Sequence, residues 1–144
     1  MFHHEPLDLA IDGFRDTRQD VLNLKSFGAE PGYGIAAYSI VRDSLQAAQQ
    51  ELDRITDVKQ SAAGYKNYQQ WIAGTQLDQN VSLNEYSVSN RGLRAGLIGT
   101  PQMVIDQIGR FQEAGIDLLL LQCSPQFEEM ERFAEEVIKP IRGQ

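Results

Sequence analysis

The sequence predicts an α/β fold in which parallel strands alternate with helices. Two mostly apolar runs, "YGIAAYSIVRDS" at 33–44 and "GIDLLLLQCSP" at 115–125, have no polar face. Such runs are typical of parallel strands that are covered on both faces. Segments with helical spacing of apolar residues stand next to both runs, and this alternation favours a parallel sheet with helical crossovers.

The run at 115–125 is expected to lead directly into a helix. Ser124 is predicted to cap that helix and Pro125 to occupy its first turn. The helix is predicted to end at Pro140, and its glutamate-rich start suits the positive end of the helix dipole. Its buried stripe is expected to consist of apolar residues at helical spacing. These are Phe127, Met130, Phe133, Ala134 and Val137.

The helix before this strand shows the same organisation. Thr100 is predicted to be its N-cap and Pro101 its first residue. Gly115 stands where a helix needs a left-handed residue after its last turn. Its predicted buried face consists of Val104, Ile105, Ile108 and Phe111.

The first half of the chain contains two further predicted helices and a long polar segment. One helix is expected at 7–26, ended by Gly28 and Pro31, and another at 44–55 after the helix start Asp43-Ser44. Residues 57–98 are expected to be partly helical and then to form a mobile glycine-rich loop, because a connection of this length is usually functional or disordered. An aromatic trio in this segment, Tyr65, Tyr68 and Trp71, is favoured as a packing stripe over a stacking platform.

Composition limits the classes of function. The chain has 144 residues, the length of one domain, and a net charge of −7, without a basic stripe that would bind nucleic acid. Its single cysteine allows no internal disulfide, and no run is long enough to span a bilayer. His3 and His4 are adjacent and would point to opposite faces of a strand, so no metal site is predicted. We expect a soluble, cytoplasmic protein that binds neither nucleic acid nor a membrane.

The segment "SNRGLRAGLIGTPQMVIDQIGRFQEAGIDLLLLQCSPQFEEMERFAEEVI" at 89–138 resembles the end of the luciferase-like flavin-dependent monooxygenases. Within that family it is most similar to the dimethyl sulfone and alkanesulfonate monooxygenases. The resemblance extends over almost the whole chain, from "HHEP" to "EEVIKP". It implies the C-terminal portion of a (β/α)8 TIM barrel, in which 33–44 and 115–125 hold strands seven and eight.

The resemblance also implies a domain organisation. Residues 1–144 would form a single partial-barrel domain, and 57–98 would be the insertion segment of the family. A complete barrel needs roughly 200 to 400 residues. The first five strands therefore have no counterpart in this chain.

The activity that the resemblance implies is oxidation of a small organosulfur compound, a sulfone or a sulfonate, by O2. Reduced FMN is the cofactor and carries the difficult chemistry, while the protein orients it and excludes water. In the family a separate flavin reductase supplies the reduced FMN. We expect the chain to act as a homo-oligomer or with the missing N-terminal half of the barrel.

Two catalytic candidates follow from the resemblance. Tyr38 aligns with an active-site position of strand seven, where it could donate a hydrogen bond to a peroxyflavin or a sulfone oxygen. Ala36 stands where the sulfonate enzymes have a charged residue, and this difference favours a neutral substrate. Arg91 matches the arginine of the insertion loop that closes over the flavin. The alternatives are a core tyrosine with a satisfied hydroxyl and an exposed loop arginine.

Four cofactor-binding candidates lie in the same regions. Arg94 is the alternative to Arg91, and Gly99 and Thr100 open a helix whose backbone amides could receive an anion. Ser124 stands where the sulfonate enzymes keep a tyrosine. Ordinary helix capping explains Thr100 and Ser124 equally well.

Two other functions compete with catalysis. A truncated barrel would expose apolar faces and unpaired strand edges, so the chain could be a non-catalytic fragment that folds and self-associates. An unrelated phosphate-binding α/β domain could use the helix start at Gly99-Thr100. The glycine-rich stretch follows a long polar segment and not a strand, which weakens this last interpretation.

Overall fold

The computed structural model describes residues 2–3, 32–57, 62–74 and 92–143. In these ranges all strands pair in parallel. Strands β1 (Phe2–His3), β2 (Gly34–Tyr38) and β5 (Leu118–Gln122) form one sheet in the order β1-β2-β5. Strands β3 (Ile40–Val41) and β4 (Ile98–Gly99) form a separate pair. The predicted α/β class with parallel strands is confirmed.

Helices connect these strands. They are α1 (Leu45–Thr56), α2 (Ala62–Gly74), α3 (Pro101–Glu113), α4 (Gln126–Phe133) and α5 (Lys139–Arg142). A π-helical stretch, Ala134–Ile138, joins α4 to α5, and we call the continuous element at 126–142 the last helix. A short 3-10 helix, Leu93–Ala95, precedes β4.

The local signals at the helix ends are largely confirmed. Ser44 caps α1 and its hydroxyl accepts a hydrogen bond from the Ala47 amide at 3.2 Å. Thr100 caps α3, and Pro101 stands at its first position, where a proline loses no helical hydrogen bond. Gly115 has a φ of 88°, the left-handed conformation that its position predicted.

The core lies between the main sheet and the helices. Ile35 and Ala37 of β2 are fully buried against Phe111 of α3 and Phe133 and Val137 of the last helix. A second cluster joins β2 and β3 to α1 and the 3-10 helix. It consists of Tyr38, Ile40, Ala48, Ile55 and Leu93. Strand β2 is therefore the central element of the fold, as expected for a continuous apolar run.

The prediction that the second run is covered on both faces is wrong for β5. Leu118, Leu120 and Leu121 are 51%, 45% and 38% exposed. The physical reason is topological: β5 has β2 on one side and no strand among the described residues on the other. Strand β5 therefore exposes apolar side chains along the edge that no described strand covers.

The predicted stripe of the last helix is only half correct. Phe133 and Val137 are buried, whereas Phe127 and Met130 are 71% and 57% exposed. Helical spacing places all of them along one side, but no described element covers the part of the first turns that carries Phe127 and Met130. The spacing of the apolar residues predicted the helix correctly but overestimated how many of these residues are buried.

Two predicted helix ends are also corrected. Pro125, and not Ser124, occupies the N-cap of α4, so Ser124 lies one residue outside the helix. The last helix continues through Pro140 to Arg142. The backbone of Ala134–Ile138, just before Lys139 and Pro140, follows the wider π-helical pattern. A π-helical stretch of this kind can accommodate an interruption of the helical hydrogen bonds such as a proline causes.

Some predictions fall on residues outside the described ranges. These are the helix at 7–26, Gly28, Pro31, His4 and the glycine-rich loop up to Arg91. Within the described part of 57–98, the partly helical character is confirmed by α2, where the Tyr65 and Tyr68 rings lie 6.3 Å apart. Among the described helices, none combines the length and the apolar character that crossing a membrane requires.

Candidate functional site

The C-terminal ends of the parallel strands meet at one edge of the fold, which we call the strand-end edge. The Ser39 amide donates to the Gln122 carbonyl at 2.9 Å, and the Arg42 amide donates to the Gly99 carbonyl at 2.9 Å. These bonds hold the ends of β2, β3, β4 and β5 beside one another. In parallel α/β sheets this is the side where binding sites form.

Tyr38 is placed in the second core cluster. It is 5% exposed and packs with Ile40, Ala48 and Leu93. Its amide donates to the Gly92 carbonyl at 3.1 Å. This placement agrees with the interpretation of Tyr38 as a core aromatic and holds its backbone at the strand-end edge.

The segment that carries Arg94 is fastened to β2 by Gly92. Gly92 has a φ of 75°, and a Cβ there would lie 3.2 Å from the Tyr38 nitrogen and 3.3 Å from the Ala37 Cα. Only glycine permits both the conformation and this close approach. Leu93 is buried and Arg94 is exposed, so Arg94 extends from an anchored 3-10 turn. Arg91 lies just outside the described residues.

Gly99 and Thr100 lead from β4 into α3, as predicted. The Thr100 hydroxyl accepts a hydrogen bond from the Met103 amide at 3.5 Å, so it serves as a helix cap. Gly99 has a φ of 146°, and a Cβ there would lie 3.1 Å from the Met103 sulfur. Ser124 is exposed beyond β5. Capping thus accounts for Thr100 but not for Ser124.

A buried ion pair lies at the strand-end edge, and the sequence did not identify it. Arg42 Nη1 donates to Glu129 Oε2 at 2.7 Å, and the two side chains are 17% and 9% exposed. Arg42 directly follows β3, and Glu129 lies in the first turn of the last helix. Arg42 lies within the predicted run at 33–44 and Glu129 in the helix after the run at 115–125, and no motif in the sequence links the two.

The ion pair continues into a network with α1. Arg42 Nη2 lies 3.6 Å from Glu51 Oε1, and Arg54 donates to Glu51 at 2.6 Å and 2.9 Å. The hydrogen bonds from Arg54 lower the pKa of Glu51, assisted by the charges of Arg54 and Arg42 and opposed by burial. The network therefore ties α1 and the last helix together around Arg42.

A cleft of about 350 Å³ opens beside this network, between β5 and the last helix. Its walls are mainly apolar, and its polar members are Ser39, Cys123, Gln126 and Glu129. The Ser39 hydroxyl is buried and has no hydrogen-bond partner among the described residues. Burial raises the pKa of the Cys123 thiol, and the nearby Glu129 charge adds to the effect. Cys123 is therefore a poor nucleophile at neutral pH.

A second cleft, of about 680 Å³, lies at the opposite end of β5. Its walls include Ile116, Leu118 and Leu119 before and in the strand, and Ile138 and Arg142 of the last helix. Neither of the two clefts is lined by Tyr38, Arg94, Gly99, Thr100 or Ser124. These candidates share the strand-end edge but do not form a common cavity.

No protein-family model matches this chain. Of the candidate residues, Tyr38 is packed in the core and the Thr100 hydroxyl serves as a helix cap. Within the described ranges, no group of three histidine, cysteine, aspartate or glutamate side chains could hold a metal ion.

Proposed function

We propose that the chain is the C-terminal part of a reduced-FMN-dependent monooxygenase that oxidises a small organosulfur compound with O2. One observation carries the proposal beyond the sequence resemblance. The segments of Tyr38, Arg94, Gly99 and Thr100 are joined by backbone hydrogen bonds at the ends of parallel strands, and Ser124 follows the neighbouring strand. Sites of barrel enzymes are built at such strand ends.

The candidate residues have different tasks in this proposal. Arg94 and Ser124 are exposed at the strand-end edge and are free to bind a ligand, with Arg91 adjacent in sequence. Ala36 carries no charge, so a neutral sulfone suits this site better than a sulfonate. Tyr38 acts mainly by fixing the strand end, since its ring is packed in the core.

Catalysis in this proposal requires more than the described residues. The candidate residues do not line either of the two clefts, and β5 leaves three leucines exposed along its length. A second half of the barrel would supply the remaining walls of the site, and a separate flavin reductase would supply reduced FMN. FMN would contribute the activation of O2, and the protein its orientation and the exclusion of water.

An anaerobic titration of the purified chain with reduced FMN, followed by flavin absorbance, tests the proposal. Saturable binding in the micromolar range that is weakened by Arg94→Ala but not by Arg110→Ala would support it. Both arginines are exposed, and Arg110 lies in the last turn of α3, which makes it a matched control. If no binding occurs even when candidate N-terminal barrel halves are supplied, the proposal is wrong.

A non-catalytic, self-associating fragment is the second candidate. The exposure of Leu118, Leu120 and Leu121 along an edge strand favours it, since unpaired apolar edges promote association. One measurement distinguishes the monooxygenase from the non-catalytic fragment. Turnover of dimethyl sulfone or an alkanesulfonate in the presence of O2, FMN, NADH and a flavin reductase is expected only for the monooxygenase.

A further inference from the structure

We propose that two copies of the chain associate about a two-fold axis, pairing their β5 strands antiparallel and crossing their last helices at Ala134. The proposal does not depend on flavin chemistry. It concerns the edge of β5 that no strand among the described residues covers, together with the exposed side of the last helix, and we call this region the β5 surface. Seven exposed apolar residues lie on it. They are Leu118, Leu120, Leu121, Phe127, Met130, Ile138 and Ile141.

Strand β5 suits pairing with a copy of itself. Residues 118–122 carry no charge, so two chains of net charge −7 can approach along this strand without opposing like charges. An antiparallel register centred on Leu120 places Leu120 opposite its copy, Leu119 opposite Leu121, and Leu118 opposite Gln122. Directly opposed apolar side chains stabilise such pairs. The pairing would also satisfy the open edge of β5.

The last helix has the same symmetry. Phe127 and Ile141 are equally far from Ala134 in sequence, and so are Met130 and Ile138. An antiparallel crossing at Ala134 therefore places Phe127 near Ile141 of the second copy and Met130 near Ile138. Ala134 is small and allows the two backbones to approach closely at the crossing point. These four apolar side chains are 37% to 71% exposed in the single chain.

The charged residues of the last helix also favour the antiparallel orientation. Glu128 and Glu131 are exposed near the start of the last helix, and Lys139 and Arg142 are exposed near its end. A parallel neighbour would bring like charges together. An antiparallel copy brings the acidic start of one helix to the basic end of the other, and complementary charges favour that pairing.

A single two-fold axis can relate both the paired β5 strands and the crossed last helices. The cleft near the start of β5 places Leu118 and Leu119 beside Ile138 and Arg142. The cleft near its end places Leu121 beside Met130, Ala134 and Ile138. Ile138 lines both clefts, so Leu120 lies beside the stretch 134–138, and the centre of the strand pair falls near the helix crossing.

Sedimentation equilibrium of the full chain without flavin tests the association. We expect a concentration-dependent dimer in the wild type. Leu120→Lys places two ammonium groups opposite each other on the axis and should raise the dissociation constant roughly 100-fold or more. The control Leu45→Lys changes a leucine on α1 that is 59% exposed, against 45% for Leu120, and lies outside the β5 surface, so it should leave the dimer intact. Circular dichroism confirms that each variant is folded.

Charge exchange tests the orientation of the helices. Glu128→Lys alone and Lys139→Glu alone should each weaken the dimer roughly two- to fivefold, and the double variant should restore it. A monomeric wild type, or a Leu120→Lys protein that still dimerises, would overturn the proposal. A double variant weaker than both single variants would overturn the antiparallel crossing. None of these results depends on FMN binding. The dimer uses the edge of β5 that an N-terminal half of the barrel would cover, so it describes the chain without such a half, and the flavin titration tests the proposed function separately.

Discussion

Arg42 Nη1 and Glu129 Oε2 lie 2.7 Å apart and join two segments that are 87 residues apart in sequence. Arg42 also donates to the Val41 carbonyl at 2.7 Å, so its guanidinium is fixed from both sides. The pair links the end of β3 to the first turn of the last helix. It connects the packing of the fold to the strand-end edge, where the candidate site lies.

Removing one member of this pair should destabilise the protein strongly. Arg42→Met leaves the buried Glu129 carboxylate without its partner, which costs roughly 3 kcal/mol of the free energy of unfolding. Urea denaturation measures the change. The double variant Arg42→Met/Glu129→Met should recover most of the loss, since an apolar pair replaces a buried ion pair at little cost. Additive losses in the double variant would show that the two residues do not interact.

The stability of the protein should fall in acid because of Glu51. Its folded pKa is lowered from the ordinary value of 4.5, first by the hydrogen bonds from Arg54. A carboxylate with a lowered pKa contributes stability above its unfolded pKa and loses that contribution as the pH falls through the folded pKa. We expect constant stability above about pH 5.5 and a decline below it.

Thermal unfolding of wild type and Glu51→Gln across this range measures the contribution. The variant should be less stable near neutral pH and should show a shallower decline in acid. Asp106→Asn is a suitable control, because Asp106 is an exposed carboxylate on α3 with a glutamine partner. If the stabilities of Glu51→Gln and of the wild type decline equally as the pH falls, the acid sensitivity arises from other groups.

Cys123 should react slowly with alkylating reagents. Burial raises the pKa of its thiol, and the Glu129 charge raises it further, so less thiolate is present at a given pH. The rate of reaction with iodoacetamide, followed by mass spectrometry, should reach half its maximum at a higher pH than for glutathione. Glu129→Gln should shift that midpoint downward without restoring it fully, because burial is the larger cause. An unchanged midpoint would exclude an effect of the Glu129 charge.

Much of the fold could be predicted because the signals are local. The helix boundaries could be predicted from Ser44, Thr100 and Gly115, because each acts within a few residues of its own position. The apolar character of β2 likewise matches its burial on both sides. The same kind of apolar run wrongly predicted burial at β5, whose leucine side chains are exposed. Whether a strand is covered depends on the neighbouring elements and not on the residues of the strand itself. The pattern in Leu118–Gln122 specifies a strand that needs a partner and does not specify the partner.

The candidate site was harder to predict than the fold. The family resemblance suggested Tyr38 as a catalytic candidate. Its ring packs against residues of α1 and the 3-10 helix, which are distant in sequence, and the sequence alone does not reveal this contact. The network of Arg42, Glu51 and Glu129 is long-range in the same way. No motif joins these residues, and their proximity follows only from the parallel arrangement of the strand ends.

Gly92 should tolerate no side chain. Its φ of 75° is strained for other residues, and a Cβ would press on the Tyr38 nitrogen and the Ala37 Cα. Gly92→Ala should reduce the free energy of unfolding by about 2 kcal/mol, the sum of backbone strain and displaced strand contacts.

The matched control is Gly109→Ala. Gly109 lies inside α3, and a Cβ there would meet no atom within 4 Å. That change should stabilise the protein by roughly 0.5–1 kcal/mol, because alanine favours the helix. Urea denaturation of both variants measures the difference. Equal effects at the two glycines would contradict the close packing of the 3-10 segment on β2, and with it the anchoring of Arg94 at the strand-end edge.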